Sequence, residues 1–156
     1  MTMLIELERR LRSIDFILGS LRDVVIDDAL MAMIFQHLCV RMSGNLEVCI
    51  TEILNEYTRG KANPQVRRAV EKMMGTFQNP RCQRIINVLS NFNSDWGEEF
   101  DRFAIAEEVK DKIDSIAANR NLIAHGRDTG ISATRIIDFN LAHKRTLQFI
   151  HDMVLT

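Results

Sequence analysis

The chain has 156 residues, of which 46% are hydrophobic and 26% are charged, and its formal net charge is −1. This length and composition fit one soluble globular domain, residues 1–156, and exclude a disordered chain, a collagen and a disulfide scaffold. Because basic and acidic residues nearly balance, bulk charge attracts the chain neither to nucleic acid nor to an anionic membrane.

The amino-terminal segment predicts a helix with a heptad-type seam. Apolar residues recur there at steps of three and four, at Leu4, Leu7, Leu11, Ile14, Leu18, Leu21 and Val25. This seam fits either the core or part of a dimer interface. Charged residues begin at Glu6, so the segment lacks a signal-peptide core and we expect a cytoplasmic protein. The longest apolar stretch, Ala29 to Cys39, is too short to span a membrane.

A second, longer helix is predicted from a cap at Asp27 or Asp28 to the residue before Gly60. Its apolar stripe consists of Met31, Phe35, Leu38, Met42, Leu46, Cys49, Ile53 and Tyr57. Gly44 lies in the middle of this helix, where a glycine costs about 1 kcal/mol of helix propensity. We therefore expect a kink or the close approach of another backbone at this point.

Two asparagine–proline pairs predict the starts of two shorter helices. In Asn63-Pro64 and Asn79-Pro80, a capping side chain precedes a proline at the first helical position. The segment from Asn91 to Trp96 is predicted to be a loop. A fifth helix should end at Gly126, and Ser132 should cap the last one. No segment alternates like a strand, so we expect an all-α bundle of about six helices, with two long antiparallel helices at its centre.

Charge is segregated along the chain despite its near-zero total. From Arg59 to Arg84 there are seven basic residues and one acidic residue, whereas Asp95 to Asp114 holds eight acidic and three basic residues. The segment from Arg120 to Arg145 has a net charge of +3. Such runs are typical of solvated helix faces, but the basic ones can also collect phosphates. A local RNA site is therefore compatible with the composition.

The cysteines and most of the histidines do not form a pattern typical of a site. No Cys-x-x-Cys pair or histidine at ligand spacing accompanies the cysteines, so we expect buried, reduced thiols at Cys39, Cys49 and Cys82. His143 lies on the apolar side of the last helix and is expected in the core. His37 and His151 lack ligand-type partners, so we predict no metal site and no cofactor.

The segment Arg120-Asn121-Leu122-Ile123-Ala124-His125-Gly126 concentrates the residues that can carry chemistry. Arg120 continues the apolar seam of its helix, where a guanidinium is costly unless a carboxylate, a phosphate or a partner chain meets it. Arg120 and His125 are about 140° apart around an ideal helix and about 7.5 Å apart along it. Because the arginine side chain is long and His125 lies at the frayed end of the helix, both can reach one bound anion. A purely structural alternative is that His125 closes the helix by donating to its last carbonyls.

This run resembles the signature of HEPN domains, in which an Arg-Asn-x-x-Ala-His-Gly sequence closes the penultimate long helix of a bundle. It is most similar to the stand-alone, RNA-ligase-associated HEPN branch, and the resemblance extends from Leu30 to Phe149. The segment from Arg41 to Glu47 is similar to the family's small polar segment that faces the motif. Arg127 stands where HEPN toxins paired with minimal nucleotidyltransferases often carry a tyrosine, which argues against that subtype.

The resemblance implies a metal-independent endoribonuclease that acts as a homodimer, with both motif copies near the dimer seam. His125 would be the general acid or base, Arg120 would hold the phosphate, and Asn121 would orient the histidine or the phosphate. Supporting or RNA-binding roles would fall to Arg41, Ser43, Glu47, Arg127, Arg67 and Arg68. The family also suggests a toxin-like or anti-phage effector, with an antitoxin or a regulatory protein as a candidate partner.

Two other functions stay open on the sequence alone. One is a catalytically inactive HEPN-like module that dimerises and binds RNA, a nucleotide or a partner protein. The other is a metal-dependent hydrolase that uses His125 together with carboxylates. For Arg41, Ser43 and Glu47, the structural alternative is a small residue at a helix crossing flanked by ordinary surface charges.

Overall fold

A computed structural model describes residues 2–156, which form seven α-helices. The helices are α1 (Met3–Ser20), α2 (Asp28–Arg59), α3 (Pro64–Met74), α4 (Cys82–Phe92), α5 (Ser94–Ala106), α6 (Lys110–Ala124) and α7 (Ala133–Leu155). No strand occurs among these residues, so the predicted all-α class is confirmed. No helix of the described chain is long and apolar enough to cross a membrane.

The seventh helix arises where the sequence predicts a loop. A single residue, Asn93, separates α4 from α5, and its side chain accepts the backbone N–H of Asp95 at 2.9 Å. Within α5, the ring of Trp96 packs edge-on against Tyr57 of α2, with ring centroids 4.9 Å apart. The prediction of a loop from Asn91 to Trp96 is therefore wrong, because a local cap and the packing of the tryptophan favour a helix in most of this segment.

The seam of α1 belongs mainly to the core. Its three central residues, Leu7, Leu11 and Ile14, are buried within the chain. The helix ends at Ser20, so no helical turn positions Val25, which is fully exposed. The predicted seam is thus wrong at its carboxyl end.

Helix α2 is uninterrupted over 32 residues. The side chain of Asp27 caps it, and it ends before Gly60 as predicted. The predicted apolar stripe is buried from Phe35 to Ile53. A Cβ atom built at Gly44 would have no neighbour within 4 Å. The expected close approach of another backbone therefore does not occur within the described chain, because this side of α2 carries no adjacent element.

The two longest helices, α2 and α7, pack against each other more extensively than any other pair in the described chain. Met31 and Ala133 in their first turns line one cleft, and Tyr57 and Val154 in their last turns line another. The two helices therefore run in the same direction, while α1 opposes both. This corrects the expected antiparallel pair: four helices separate α2 from α7 in the chain, so no tight turn forces them to oppose each other.

Local capping signals set several helix starts correctly. The side chains of Asn63 and Ser132 accept backbone N–H groups in the first turns of α3 and α7. The predicted start at Asn79-Pro80 is wrong, because α4 begins at Cys82, whose N–H donates to the carboxylate of Asp114 on α6 at 2.8 Å. Asn79 cannot act as a cap, since it has a left-handed φ of 53° and its side chain contacts α6.

His143 and the three cysteines are buried, as the sequence predicts. His143 is fully buried, and burial lowers the pKa of its imidazole to about 3, so the ring is neutral. The three cysteines are free and buried, and burial raises the pKa of each thiol to about 11, in Cys39, Cys49 and Cys82. The predictions of a core histidine and of buried, reduced thiols are confirmed.

Candidate functional site

His125 lies at the carboxyl end of α6, where the backbone turns sharply. Gly126 follows it with a left-handed φ of 71°, as predicted. The N–H of Gly126 donates to the carbonyl of Ile123 at 3.0 Å, and the N–H of Arg127 donates to that of Leu122 at 2.9 Å. These two bonds form a Schellman motif, which satisfies the last carbonyls of the helix with backbone donors.

The imidazole of His125 is consequently not needed to close the helix. The residue is exposed, and no hydrogen bond joins its ring to another group in residues 2–156. The structural alternative, in which the ring donates to the last carbonyls, does not match this arrangement. A solvent-accessible imidazole at the end of a rigid helix can accept or donate a proton.

Arg120 lies on α6 a little more than one turn before His125 and is half-buried. One guanidinium nitrogen, Nη1, donates to Oδ1 of Asn121 at 3.2 Å. Within the described chain Arg120 takes part in no ion pair with a carboxylate. The costly placement predicted for this guanidinium is therefore uncompensated by any charge of the chain itself. A phosphate or a partner chain can supply the missing negative charge.

Asn121 connects the motif to two other elements. Its Nδ2 donates to Oδ1 of Asn79 at 3.4 Å, in the segment between α3 and α4. The N–H of Asn79 donates in turn to Oε1 of Glu47 on α2 at 2.8 Å. A hydrogen-bonded chain thus runs from Glu47 through Asn79 and Asn121 to Arg120. Asn121 is positioned to orient Arg120, whereas the sequence suggested that it orients the histidine or the phosphate.

A cleft of about 520 Å³ opens beside this chain of hydrogen bonds. It is lined by Arg81, Ala118, Asn121, Leu122, His125 and Arg127. Its volume lies within the range of small-ligand sites in proteins. Two exposed arginines, one imidazole and one amide border it, and none of its lining residues is acidic. The cleft therefore suits an anion with an apolar part resting on Ala118 and Leu122.

The structure does not bring every predicted site residue to the cleft. Arg41 donates from Nη2 to the hydroxyl of Ser13 on α1 at 2.9 Å. Ser43 is buried with its Oγ unpartnered among the described residues, so it is shielded from any bound ligand. Arg67 and Arg68 lie on α3 and do not line the cleft. Of the supporting residues, only Glu47 joins the hydrogen-bonded chain and only Arg127 lines the cleft.

Two residues of the site escape the sequence analysis. Because Asn79 precedes a proline, its sequence context predicts a helix cap, whereas in the structure it is hydrogen-bonded to both Glu47 and Asn121. Arg81 is one arginine within a basic run, and nothing local distinguishes it from Arg84. Its place at the cleft depends on the packing of α4 against α6, where the Asp114 carboxylate holds the start of α4.

Residues 2–156 contain no group of three or more His, Cys, Asp or Glu side chains placed to share a metal ion. Searches of curated proteins and of solved structures find no match to this chain. The sequence model of one family, RiboL-PSP-HEPN, matches residues 5–154. HEPN domains are often ribonucleases, and they commonly bind RNA and dimerise. On a match over nearly its whole length, the chain belongs to the RiboL-PSP-HEPN family.

Proposed function

We propose that this protein is a metal-independent endoribonuclease that cleaves RNA through its own 2′-hydroxyl. One observation carries the proposal: the exposed imidazole of His125 lines a cleft that has no acidic lining residue, and Arg120, which does not line the cleft itself and forms no ion pair in residues 2–156, is hydrogen-bonded to Asn121 in that lining. Membership of a family that is often ribonucleolytic supports it. A phosphate of bound RNA would be the ion-pair partner that Arg120 does not have within the described chain.

The reaction needs a proton acceptor, a proton donor and neutralisation of the phosphate. The 2′-oxygen loses its proton and attacks the adjacent phosphorus, and the 5′-oxygen of the next nucleotide leaves as it gains a proton. The products are a 2′,3′-cyclic phosphate and a 5′-hydroxyl. His125 serves in proton transfer, a role worth roughly 10²–10⁴-fold in rate. The planar guanidinium of Arg120 binds the equatorial phosphate oxygens as negative charge builds up.

Asn121 acts as a positioning residue in this scheme. Its amide oxygen accepts from Arg120, and its amide nitrogen is held by Asn79. The amide therefore restricts the guanidinium to one direction, which reduces the freedom that is lost when the phosphate binds. Arg81 and Arg127 provide phosphate contacts at the cleft, and Arg67 and Arg68 extend the basic surface along α3.

One histidine in each chain cannot be both acid and base at one phosphate. A homodimer provides the second copy, so we propose a composite site formed by two chains. The biological role that fits such an enzyme is a toxin-like or anti-phage effector. Expression of the wild-type chain should then arrest growth of the host, and His125→Ala should relieve the arrest.

Cleavage of a labelled RNA in excess chelator tests the chemistry directly. Wild type should cleave, while His125→Ala and Arg120→Ala should each lose at least about 100-fold in rate. Arg102→Ala, which removes an exposed guanidinium on α5 that does not line the cleft, is the matched control and should retain activity. A substrate with a single 2′-deoxy nucleotide should resist cleavage at that nucleotide only. Activity that requires added metal, or that persists at the deoxy position, would refute the mechanism.

The catalytically inactive module is the other outcome of the same experiment. In that case the wild-type chain binds the RNA but generates no cyclic phosphate. Binding should then weaken in Arg127→Ala and show the salt dependence expected of phosphate contacts. His125→Ala should leave the affinity unchanged, because the phosphate contacts are assigned to the arginines.

A further inference from the structure

Helix α2 carries a second apolar stripe that the chain leaves uncovered. We call the outer stripe the residues that recur at steps of three and four on its exposed side: Leu30, Met33, His37, Val40, Gly44 and Val48. Met33 and Leu30 expose 65% and 50% of their surfaces. The stripe is about 27 Å long and contains no residue with a permanent charge. An apolar seam of this length on the central helix is typical of an interaction surface.

Gly44 is the fifth of the six residues of the outer stripe, with Val40 before it and Val48 after it. A Cβ atom there would meet nothing within 4 Å, so no packing among residues 2–156 requires a glycine. A glycine within a helix costs about 1 kcal/mol relative to alanine. Such a cost is offset where a second helix crosses closely, because the missing side chain lets the two backbones approach.

The edges of the stripe carry two charges without ion pairs. Arg41 and Glu47 lie three residues before and three residues after Gly44, on opposite edges of the stripe. Both are half-buried. Within the described chain, Arg41 contacts only the hydroxyl of Ser13, and Glu47 contacts only the N–H of Asn79. Neither residue therefore forms an ion pair within the described chain, and the two have opposite charges, so Arg41 of one copy could pair with Glu47 of another.

The residues around Gly44 can pair with the same residues of a second copy. Val40 and Val48 lie four residues on either side of it, and both are exposed. In a two-fold interface the same patch of both copies meets, so the patch must be complementary to itself. An apolar stripe with equal residues at equal distances from a glycine, and with opposite charges on its two edges, meets this condition.

We propose that a second copy of this chain docks on the outer stripe, with the two α2 helices crossing at Gly44. Arg41 then reaches Glu47 of the partner subunit, and the reverse contact forms on the other side of the two-fold axis. Glu47 already holds Asn79, which holds Asn121 and so Arg120. The partner's guanidinium thus completes the chain of hydrogen bonds at each cleft. This last consequence rests on the proposed ribonuclease function, whereas the interface itself does not.

The mass of the full-length protein in solution tests the interface. Sedimentation velocity should give a dimer for wild type and a monomer for Gly44→Leu, since leucine fits a helix but blocks the crossing. Val40→Glu should also be monomeric. The matched control is Val66→Glu, at an exposed valine on α3, which should stay dimeric. Thermal melts should show that both stripe variants remain folded. A monomeric wild type, or a dimeric Gly44→Leu, would overturn the proposal.

Charge reversal tests the pairing of the edges. Arg41→Glu and Glu47→Arg should each raise the dimer dissociation constant by at least about tenfold, and the double variant should regain most of the loss. A double variant as weak as either single one would contradict the pairing. Cleavage assays on the same proteins separate the two proposals. A dimer that Gly44→Leu disrupts, but that never cleaves RNA, supports the interface and refutes the ribonuclease.

Discussion

Replacing Arg120 by methionine separates the cost of the buried charge from its use in catalysis. The guanidinium is half-buried and makes one hydrogen bond, to Asn121 at 3.2 Å. Losing that bond costs about 0.5–1.5 kcal/mol, while removing a half-buried charge that lacks an ion pair recovers a similar amount. Methionine matches the aliphatic stem of arginine without its guanidinium, and it adapts well to an apolar seam. We therefore expect the free energy of unfolding to stay within about 1 kcal/mol of wild type.

Cleavage should respond very differently to the same change. The guanidinium is proposed to bind phosphate oxygens as they gain charge, and losing one such donor lowers rates by about 10²–10³-fold. Ile116→Ala, one turn earlier on α6, is the matched control, because this buried truncation should cost about 2–5 kcal/mol of stability. Its activity per folded molecule should persist. Urea unfolding and single-turnover cleavage of a labelled RNA measure the two quantities.

Two results would refute this reasoning about Arg120. If Arg120→Met loses several kcal/mol of stability and its cleavage falls only with the folded fraction, the arginine is a structural part of α6. If stability and cleavage both match wild type, the guanidinium does not bind the phosphate. Arg120→Lys adds a gradation, because it keeps the charge but not the planar fork, and its rate should fall between those of wild type and Arg120→Met.

Other predictions concern the core and one strained turn. Glu108, which follows α5, has a left-handed φ of 54°, a conformation that is costly for every residue except glycine. Thermal melts should therefore show that Glu108→Gly is about 1 kcal/mol more stable than wild type, and an unchanged melting temperature would contradict this. A thiol reagent at pH 8 should find all three cysteines unreactive in the native protein and reactive after unfolding, because burial raises their pKa values to about 11. Burial lowers the pKa of His143 from 6.5 to about 3, so only the unfolded chain binds a proton there and stability falls as pH drops from about 6.5 towards 3, by up to about 1.4 kcal/mol per pH unit. Urea unfolding at pH 7, 6 and 5 should show that this pH dependence of stability is reduced in His143→Leu and retained in His125→Ala. The same pH dependence in His143→Leu as in wild type would refute its assignment to His143.

Helix ends that depend on neighbouring residues were predictable from the sequence. Asp27, Asn63 and Ser132 each bond a backbone N–H within three residues, so the residue type and its position suffice to locate the start. The sequence predicted a loop where Asn93 alone separates α4 from α5, and Gly97, a poor helix former, lies in the first turns of α5. Gly97 allows α5 to pack closely against α4, since a Cβ atom at this position would lie 3.1 Å from the carbonyl oxygen of Ile86. Tertiary contact decides that segment.

Helix α2 shows where an apolar pattern can be only half interpreted. Its sequence holds two stripes, and the one through Leu38 and Met42 was correctly assigned to the core. The outer stripe through Met33 and Val40 repeats with the same period on the opposite side. Periodicity predicts that a face is apolar, but it does not say whether the chain itself or a second molecule covers that face. Only the arrangement of the other six helices in space shows which stripe is left exposed.

Some features of the candidate site depend on residues close in sequence, and others depend on residues far apart in sequence. The turn that frees His125 involves only residues 122–127, so Gly126 was enough to predict it. Asn79 is 32 residues from Glu47 and 42 residues from Asn121, and no spacing rule connects such positions. Its sequence signal, a cap before proline, fails because tertiary contacts hold it in a left-handed conformation. Local preferences are overruled in this way most often at functional sites, so the failure of Asn79 as a cap is itself an argument that the site lies beside it.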